Sequence, residues 1–217
     1  MELISVVIPA LNAARFIGDA IESVLAQDWP DLEIIIVDNG STDGTYEIAR
    51  DFGGPVRCHR FSRRGQPRAM NHGIGLTRGS WLSFLDADDL WAPRKIAIQR
   101  AAFDASPQTD AVFAHAANFS GEPPSSQDVP GAPAPLHGTL LIRREAFFRV
   151  GYLDEQFTIG SIMDWYMRAQ EAGIRMTTLP QTLLFRRLHD DNLGTRERDQ
   201  RKDYARILKA ALDRRRR

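Results

Sequence analysis

The sequence predicts an α/β domain built on a mostly parallel sheet with helices on both faces. Three observations carry that expectation. Short β-branched runs alternate with stretches whose apolar residues recur at helical spacing. The strand candidates Ile4–Ile8, Glu33–Val37 and Trp81–Leu85 are nearly continuous in apolar residues rather than alternating, as strands covered on both faces are. The last two stop abruptly at acids, Asp38 in one case and Asp86, Asp88 and Asp89 in the other. In open α/β sheets the carboxyl ends of the strands form the edge where ligands bind.

The bulk numbers bound this reading. A chain of 217 residues, 43% hydrophobic and 26% charged, suits one domain with a real core. Formal net charge is zero, so no global field points to nucleic acid. Cys58 is the only cysteine, which leaves no internal disulfide and no cysteine-based metal site. The segment before Ile4 is too short for a signal peptide, and no apolar run is long enough to span a bilayer. The expected location is cytoplasmic, with peripheral membrane contact left open.

In chain order, Ile4–Ile8 is a strand ended by Pro9, and Asn12 is a candidate cap for the helix that follows. Phe16, Ile17, Ile21, Val24 and Leu25 give that helix its apolar face. Glu33–Val37 is the second strand, and Thr45 to Phe52 a short helix. Val56–Phe61 is a third strand, and Gln66–Leu76 a helix whose Ala69 and Gly73 make one face thin. After the Trp81 strand, a helix spans about Pro93 to Ala105, with proline in its first turn. Ala111–Ala116 is another strand. Residues 121–135 hold five prolines and little that packs, so they read as a loop, either an idle linker or a lid. His137–Ile142 reads as a strand, Arg144–Arg149 as a helical turn, and Ser161–Gly173 as a helix ended by glycine. Met176–Leu179 and Thr182–Phe185 read as two short strands, and Glu197 to about Leu212 as a charged helix. From Arg196 to Arg217 there are ten Lys/Arg against four Asp/Glu. That end is either a solvated tail or a surface for anionic lipid or a polyphosphate.

The chemistry concentrates at Trp81-Leu-Ser-Phe-Leu-Asp-Ala-Asp-Asp89. Asp86 and Asp88 are two residues apart and point the same way in an extended chain. Such close carboxylates repel unless protons or a cation relieve them. A hard divalent ion shared with substrate phosphates is one relief. A capped turn is the other reading, with Asp88 or Asp89 serving the helix after Pro93.

In combination and in order, Asp38, the Asp86/Asp88 pair, Asp164 and His189 resemble the family 2 glycosyltransferases, inverting enzymes of the GT-A fold. The resemblance runs through Val6-Val-Ile-Pro-Ala-Leu-Asn-Ala13, Ile35-Ile-Val-Asp38-Asn-Gly-Ser-Thr-Asp43-Gly-Thr45, Gly65 to Gly73 and Phe84-Leu-Asp-Ala-Asp-Asp-Leu-Trp-Ala-Pro93. It resumes at Gly151-Tyr-Leu-Asp-Glu155 and Met163-Asp164-Trp165.

The resemblance implies a single GT-A (Rossmann-like) domain over residues 1–195. Its nucleotide-binding half spans about 1–117 and its acceptor half about 136–195, and a basic helix and tail follow at 196–217. It further implies transfer of a sugar from a nucleoside-diphosphate sugar, expected to be a UDP-sugar, to an acceptor hydroxyl, with Mn2+ or Mg2+ as cofactor. Asp38 would contact the nucleotide base, and Pro9, Ala10, Asn12 and Asn71 would line the same cleft. Asp86 would face the ribose, Asp88 would hold the metal, and Asp164 would be the general base. His189 and Asn192 resemble a His-x-x-Asn loop whose histidine is either a metal ligand or a loop-ordering hydrogen bonder.

Departures from the pattern are Leu11, Asn39, Arg68 and Met163, the last removing an acidic neighbour of the expected base. A sugar nucleotidyltransferase is an alternative, but it expects a Gly- and Lys/Arg-rich triphosphate loop that Pro9 to Phe16 does not offer. A non-catalytic binding protein on the same scaffold is the third reading.

Overall fold

A computed structural model describes residues 2–124, 126, 128–190 and 202–215. The strands are β1 (Ile4–Ala10), β2 (Leu32–Asp38), β3 (Val56–Arg60), β4 (Trp81–Phe84), β5 (Leu90–Trp91), β6 (Ala111–Phe119), β7 (Ala132–Ala134), β8 (Leu141–Arg143) and β9 (Met176–Arg187). The α-helices are α1 (Ile17–Leu25), α2 (Thr45–Asp51), α3 (Gln66–Leu76), α4 (Lys95–Ala105), α5 (Arg144–Val150), α6 (Ser161–Glu171) and α7 (Lys202–Arg215).

One sheet runs in the order β3-β2-β1-β4-β8-β6-β9-β5, with β7 added alongside β6. The first half of the sheet, β3-β2-β1-β4, is parallel throughout, and β6 and β9 are parallel to each other. The parallel run brings the carboxyl ends of β1, β2 and β4 to one edge, where Ala10 pairs in register with Asp38.

Alternation within β1 and β2 splits the core in two. Ile4, Val6, Ile8, Ile34 and Ile36 face α1 and α4, meeting Ile17, Ile21, Val24, Ile96 and Phe103. Val7, Ile35 and Val37 face the other way, onto Ala69, Met70 and Ile74 of α3. Burying each such large aliphatic side chain stabilises the fold by roughly 1.5–3 kcal/mol. The thin face of α3 has a direct cause: a Cβ at Gly73 would lie 2.5 Å from Val7 Cγ1. Glycine lets the helix sit that close to the sheet.

Several expected elements differ. His137–Thr139 form a 3-10 turn, and the strand begins only at Leu141. The loop 121–135 is pinned at its end, because β7 pairs with β6 and Thr182 Oγ1 donates to Val129 O at 2.7 Å. The two short strands after Met176 are one strand, β9, which shifts register against β6 between Phe113 and His115, the step that accommodates Pro180. The two-residue strand β5 carries no sequence signal of its own. Neither Asp88 nor Asp89 caps α4, which starts at Lys95 after Arg94 in a left-handed conformation. Asn12 does not cap α1 either: it takes φ +51°, and the helix begins at Ile17. Asn192 and the first residues of the expected C-terminal helix lie outside the described residues. No helix among the described residues is long and apolar enough to cross a membrane.

Candidate active site

The loops after β1 and β2 are laced into one wall. Asn12 Oδ1 accepts from Thr42 N at 2.9 Å, and Asn12 N donates to Ser41 Oγ at 2.9 Å. Ala13 N donates to Thr45 Oγ1 at 2.8 Å and Ala14 N to Asp43 Oδ2 at 3.0 Å. Pro9 and Ala10 end β1 directly behind this wall. Asp38 sits at the tip of β2, 2% exposed, and its Oδ1 accepts from Ser41 N at 3.3 Å.

Asn39 organises the facing loop. Its Nδ2 donates to Phe61 O at 3.0 Å and Arg63 O at 2.9 Å, while its Oδ1 accepts from Gly65 N at 2.8 Å. Two donors and one acceptor meet two carbonyls and one N–H, an arrangement that an ionised aspartate cannot reproduce.

Asp86 follows β4. Its Oδ1 stands 2.8 Å from His137 Nε2 and accepts from Gln66 Nε2 at 2.7 Å. A buried polar network places His137. Ser83 Oγ donates to Leu140 O at 2.6 Å, Gln99 Nε2 donates to Thr139 O at 2.8 Å, and Lys95 Nζ bridges Ser83 and Gln99. Lys95 is wholly buried over the Trp91 ring, and burial holds its ammonium pKa well below the usual range. Burial raises the Asp86 pKa, but the charge and hydrogen bond of His137, with Arg186 and Gln66, outweigh it and hold the carboxyl below its ordinary value. Burial likewise opposes the His137 charge, and Asp86 outweighs it, so the imidazole pKa is raised.

Asp88 is the opposite case. Burial, then the charge of Asp86, raise its carboxyl pKa, against the hydrogen bond of His189. His189 Nε2 stands 3.0 Å from Asp88 Oδ2, and its ring packs on Phe16 with centroids 4.6 Å apart. Asp89 is pushed well above the usual range by burial and by both neighbouring carboxylates. Its Oδ1 accepts from Arg187 N at 2.9 Å, and Arg187 Nε donates to Asp88 O at 3.1 Å. Asp89 therefore ties the acidic turn to the end of β9. Asp86 carries its charge with a partner, whereas Asp88 and Asp89 are crowded.

Asp164 lies in the first turn of α6, 2% exposed. Arg168 Nε donates to Oδ2 at 2.8 Å and Arg214 Nη1 of α7 to Oδ1 at 3.3 Å. Arg168 also reaches Val150 O and Tyr152 O, stapling the turn after α5. The Asn71 amide is engaged at both ends with Leu153, Oδ1 to N at 3.0 Å and Nδ2 to O at 2.9 Å.

Asp38 thus ends β2, two strands from the acidic turn that follows β4, and Asp86, Asp88 and His189 meet at that turn. Asn71 and Asp164 are spent on backbone and guanidinium partners around the 150–153 turn. Sequence reasoning missed His137, Gln66 and Arg214. Histidine following a proline-rich loop was the one available signal. Gln66 and Arg214 carry none, since only the fold brings them to their acids.

This sheet, with acids at its carboxyl edge, defines the GT-A class of glycosyltransferase fold. The chain belongs to glycosyl transferase family 2, whose model matches residues 5–163. An uncharacterized glycosyltransferase of Rickettsia typhi is 28% identical over 222 residues, covering 93% of this chain and 69% of the relative. A PGL/p-HBAD biosynthesis glycosyltransferase of Mycobacterium bovis is 41% identical over 91 residues, 40% of this chain and 36% of its own length. S. aureus TarS 1-349, solved with UDP-GlcNAc, superposes with a TM-score of 0.71 at 20% identity, covering 86% of this chain and 59% of that one. The mannosyltransferase PcManGT of Pyrobaculum calidifontis, solved with GDP-Man and Mn2+, gives 0.69 at 22% identity, covering 92% of this chain and 61% of that one. The chain therefore spans about three fifths of those two solved structures.

Proposed function

We propose that the chain transfers a sugar from a nucleoside-diphosphate sugar to an acceptor hydroxyl with inversion, and that the nucleotide is UDP. The observation that carries the reading is the unequal acidic turn: Asp86 neutralised by His137, Asp88 crowded and paired to a histidine. Carboxylates crowded beside one N/O donor pair are relieved by protons or by a divalent cation, and a bound cation would return them to the charged form. The complexes of TarS with UDP-GlcNAc and of PcManGT with GDP-Man and Mn2+ support the donor class and the metal.

The residues fit Mn2+ or Mg2+. Asp88 and His189 would hold it; among the described residues no three His, Cys, Asp or Glu side chains are grouped to hold a metal, so the ion would draw further ligands from the substrate phosphates. Bound there, the ion would neutralise the charge of the leaving diphosphate. Asp38 accepts from a ring N–H of the base, the hydrogen bond that selects a uracil edge. Pro9, Ala10 and Asn12 wall the cleft, Asp86 meets the ribose hydroxyls, and Asn71 holds the Leu153 turn beside it. The acceptor oxygen attacks the anomeric carbon opposite the diphosphate, through an oxocarbenium-like state, in one displacement.

Asp164 is the proposed base, with Arg168 donating to one of its oxygens and Arg214 to the other. The two guanidiniums favour a second reading, in which Asp164 anchors α6 to α7 and another group accepts the proton. Thermal-shift screening of nucleoside-diphosphate sugars with Mn2+ tests the proposal. A donor that raises the melting temperature only with metal supports it, and no shift with any donor removes it.

A further inference from the structure

The last helix, α7, is docked by one face only. Ile207 and Ala211 are buried, and Tyr204 and Ile207 close over Gly160 of the turn into α6. Asp203, 1% exposed, accepts from Thr158 N at 2.9 Å and pairs with Arg206. Arg214 completes the dock on Asp164 and Glu171. This face accounts for every buried side chain of the helix among the described residues.

The adjoining face is apolar and exposed. Tyr204, Leu208 and Leu212 are 45%, 54% and 54% exposed, and the two leucines are the most exposed large apolar side chains described. At spacings of four residues they step about 40° around the helix and form one stripe along it. Lys202 and Lys209 are exposed beside the stripe, and Arg206 is half-exposed. Asp213 is the one exposed acid of the helix among the described residues. The sequence then runs Arg214-Arg-Arg-Arg217.

We propose that the Tyr204/Leu208/Leu212 stripe of α7, with its flanking lysines, is a surface that seats on an anionic lipid bilayer. A helix with an apolar stripe and a basic border lies in the interface plane, its apolar side chains among the acyl boundary and its cations at the headgroups. Charge selects this occupant. A second copy of the same face would bring like charges together across a two-fold axis, whereas phosphate headgroups complement them. The buried face holds α7 to α6 while the stripe is engaged, so binding needs no unfolding. The inference is independent of the transfer reaction.

Co-sedimentation of the full chain with vesicles tests it, without donor or acceptor. Phosphatidylcholine vesicles containing phosphatidylglycerol should bind the protein, and pure phosphatidylcholine should bind it far more weakly. Leu208→Ser/Leu212→Ser should lower partitioning by about tenfold or more, with only a small fall in melting temperature from the lower helix propensity of serine, because both leucines are more than half exposed. Lys209→Glu should weaken binding, and added salt should reduce it without abolishing it. Three results overturn the proposal. One is no binding, or equal binding to both vesicles. Another is binding untouched by the double substitution and abolished by salt, which leaves only tail electrostatics. The third is a self-associated species that the double substitution dissociates, with no vesicle binding.

Discussion

Nε2 of His137 stands 2.8 Å from Oδ1 of Asp86, across 51 residues of sequence and the proline-rich loop. The pair stores one carboxylate of the acidic turn as an ion pair, while crowding pushes Asp88 and Asp89 toward their neutral forms. It also fixes the Asp86 carboxylate that is proposed to meet the ribose. His137→Ala should raise the donor KM by about 10–100-fold, the cost typical of losing a group that orients a ligand-binding carboxylate. His137→Gln, which keeps a donor toward Oδ1, should recover most of that loss. Steady-state donor hydrolysis measures both. Unchanged KM in His137→Ala would remove the histidine from the site.

How much of this was legible beforehand differs by half. The parallel strands β1, β2 and β4 were readable because burial on both faces writes continuous apolar runs, and their acids were readable as run endings. The C-terminal half was less so. β5 is two residues long, and β7 is Ala-Pro-Ala, which no β propensity marks. The 3-10 turn at His137 is held by Ser83 and Gln99 from distant elements, so local periodicity could not report it. In the site, Asp38, Asp86 and Asp88 stood out by position. The Arg214 guanidinium on Asp164 did not, because it arrives from fifty residues away.

Asp164 separates its two readings by mutation. Asp164→Asn should cost about 3 kcal/mol if the carboxylate anchors two arginines, since breaking a buried pair leaves charge uncompensated. Arg214→Ala distinguishes the base role: a base freed of its clamp should gain kcat, whereas an anchor losing a partner should lose stability with kcat unmoved. Urea melts and single-turnover transfer read the two effects.

Asn39→Asp should destabilise the 61–65 loop. The substituted oxygen would face the carbonyls of Phe61 and Arg63, which now accept from the amide. Losing two part-buried hydrogen bonds and adding repulsion should cost about 2 kcal/mol. Chemical denaturation measures it, and a neutral result would show that the loop re-forms on other partners.

Glu33 supplies a pH test away from the site. Burial opposes its charge, but Ser5, the Arg78 backbone and side chain, and Arg57 outweigh it and hold its pKa below 4.5. A depressed carboxyl pKa adds stability above the unfolded value, and that stability is lost as pH falls through the folded value. Glu33→Gln should therefore be less stable than wild type at neutral pH, and the gap should shrink as pH falls from about 5 toward 3. A gap constant over that range would contradict the assignment.

The most direct measurement is calorimetric titration of UDP into the wild type and Asp88→Asn, each with Mn2+ and with chelator. Binding in the wild type should require Mn2+, and Asp88→Asn should lose the metal-dependent part, weakening affinity by at least about tenfold. Equal affinity in the two proteins, or binding indifferent to chelator, would contradict a diphosphate held through a cation at Asp88.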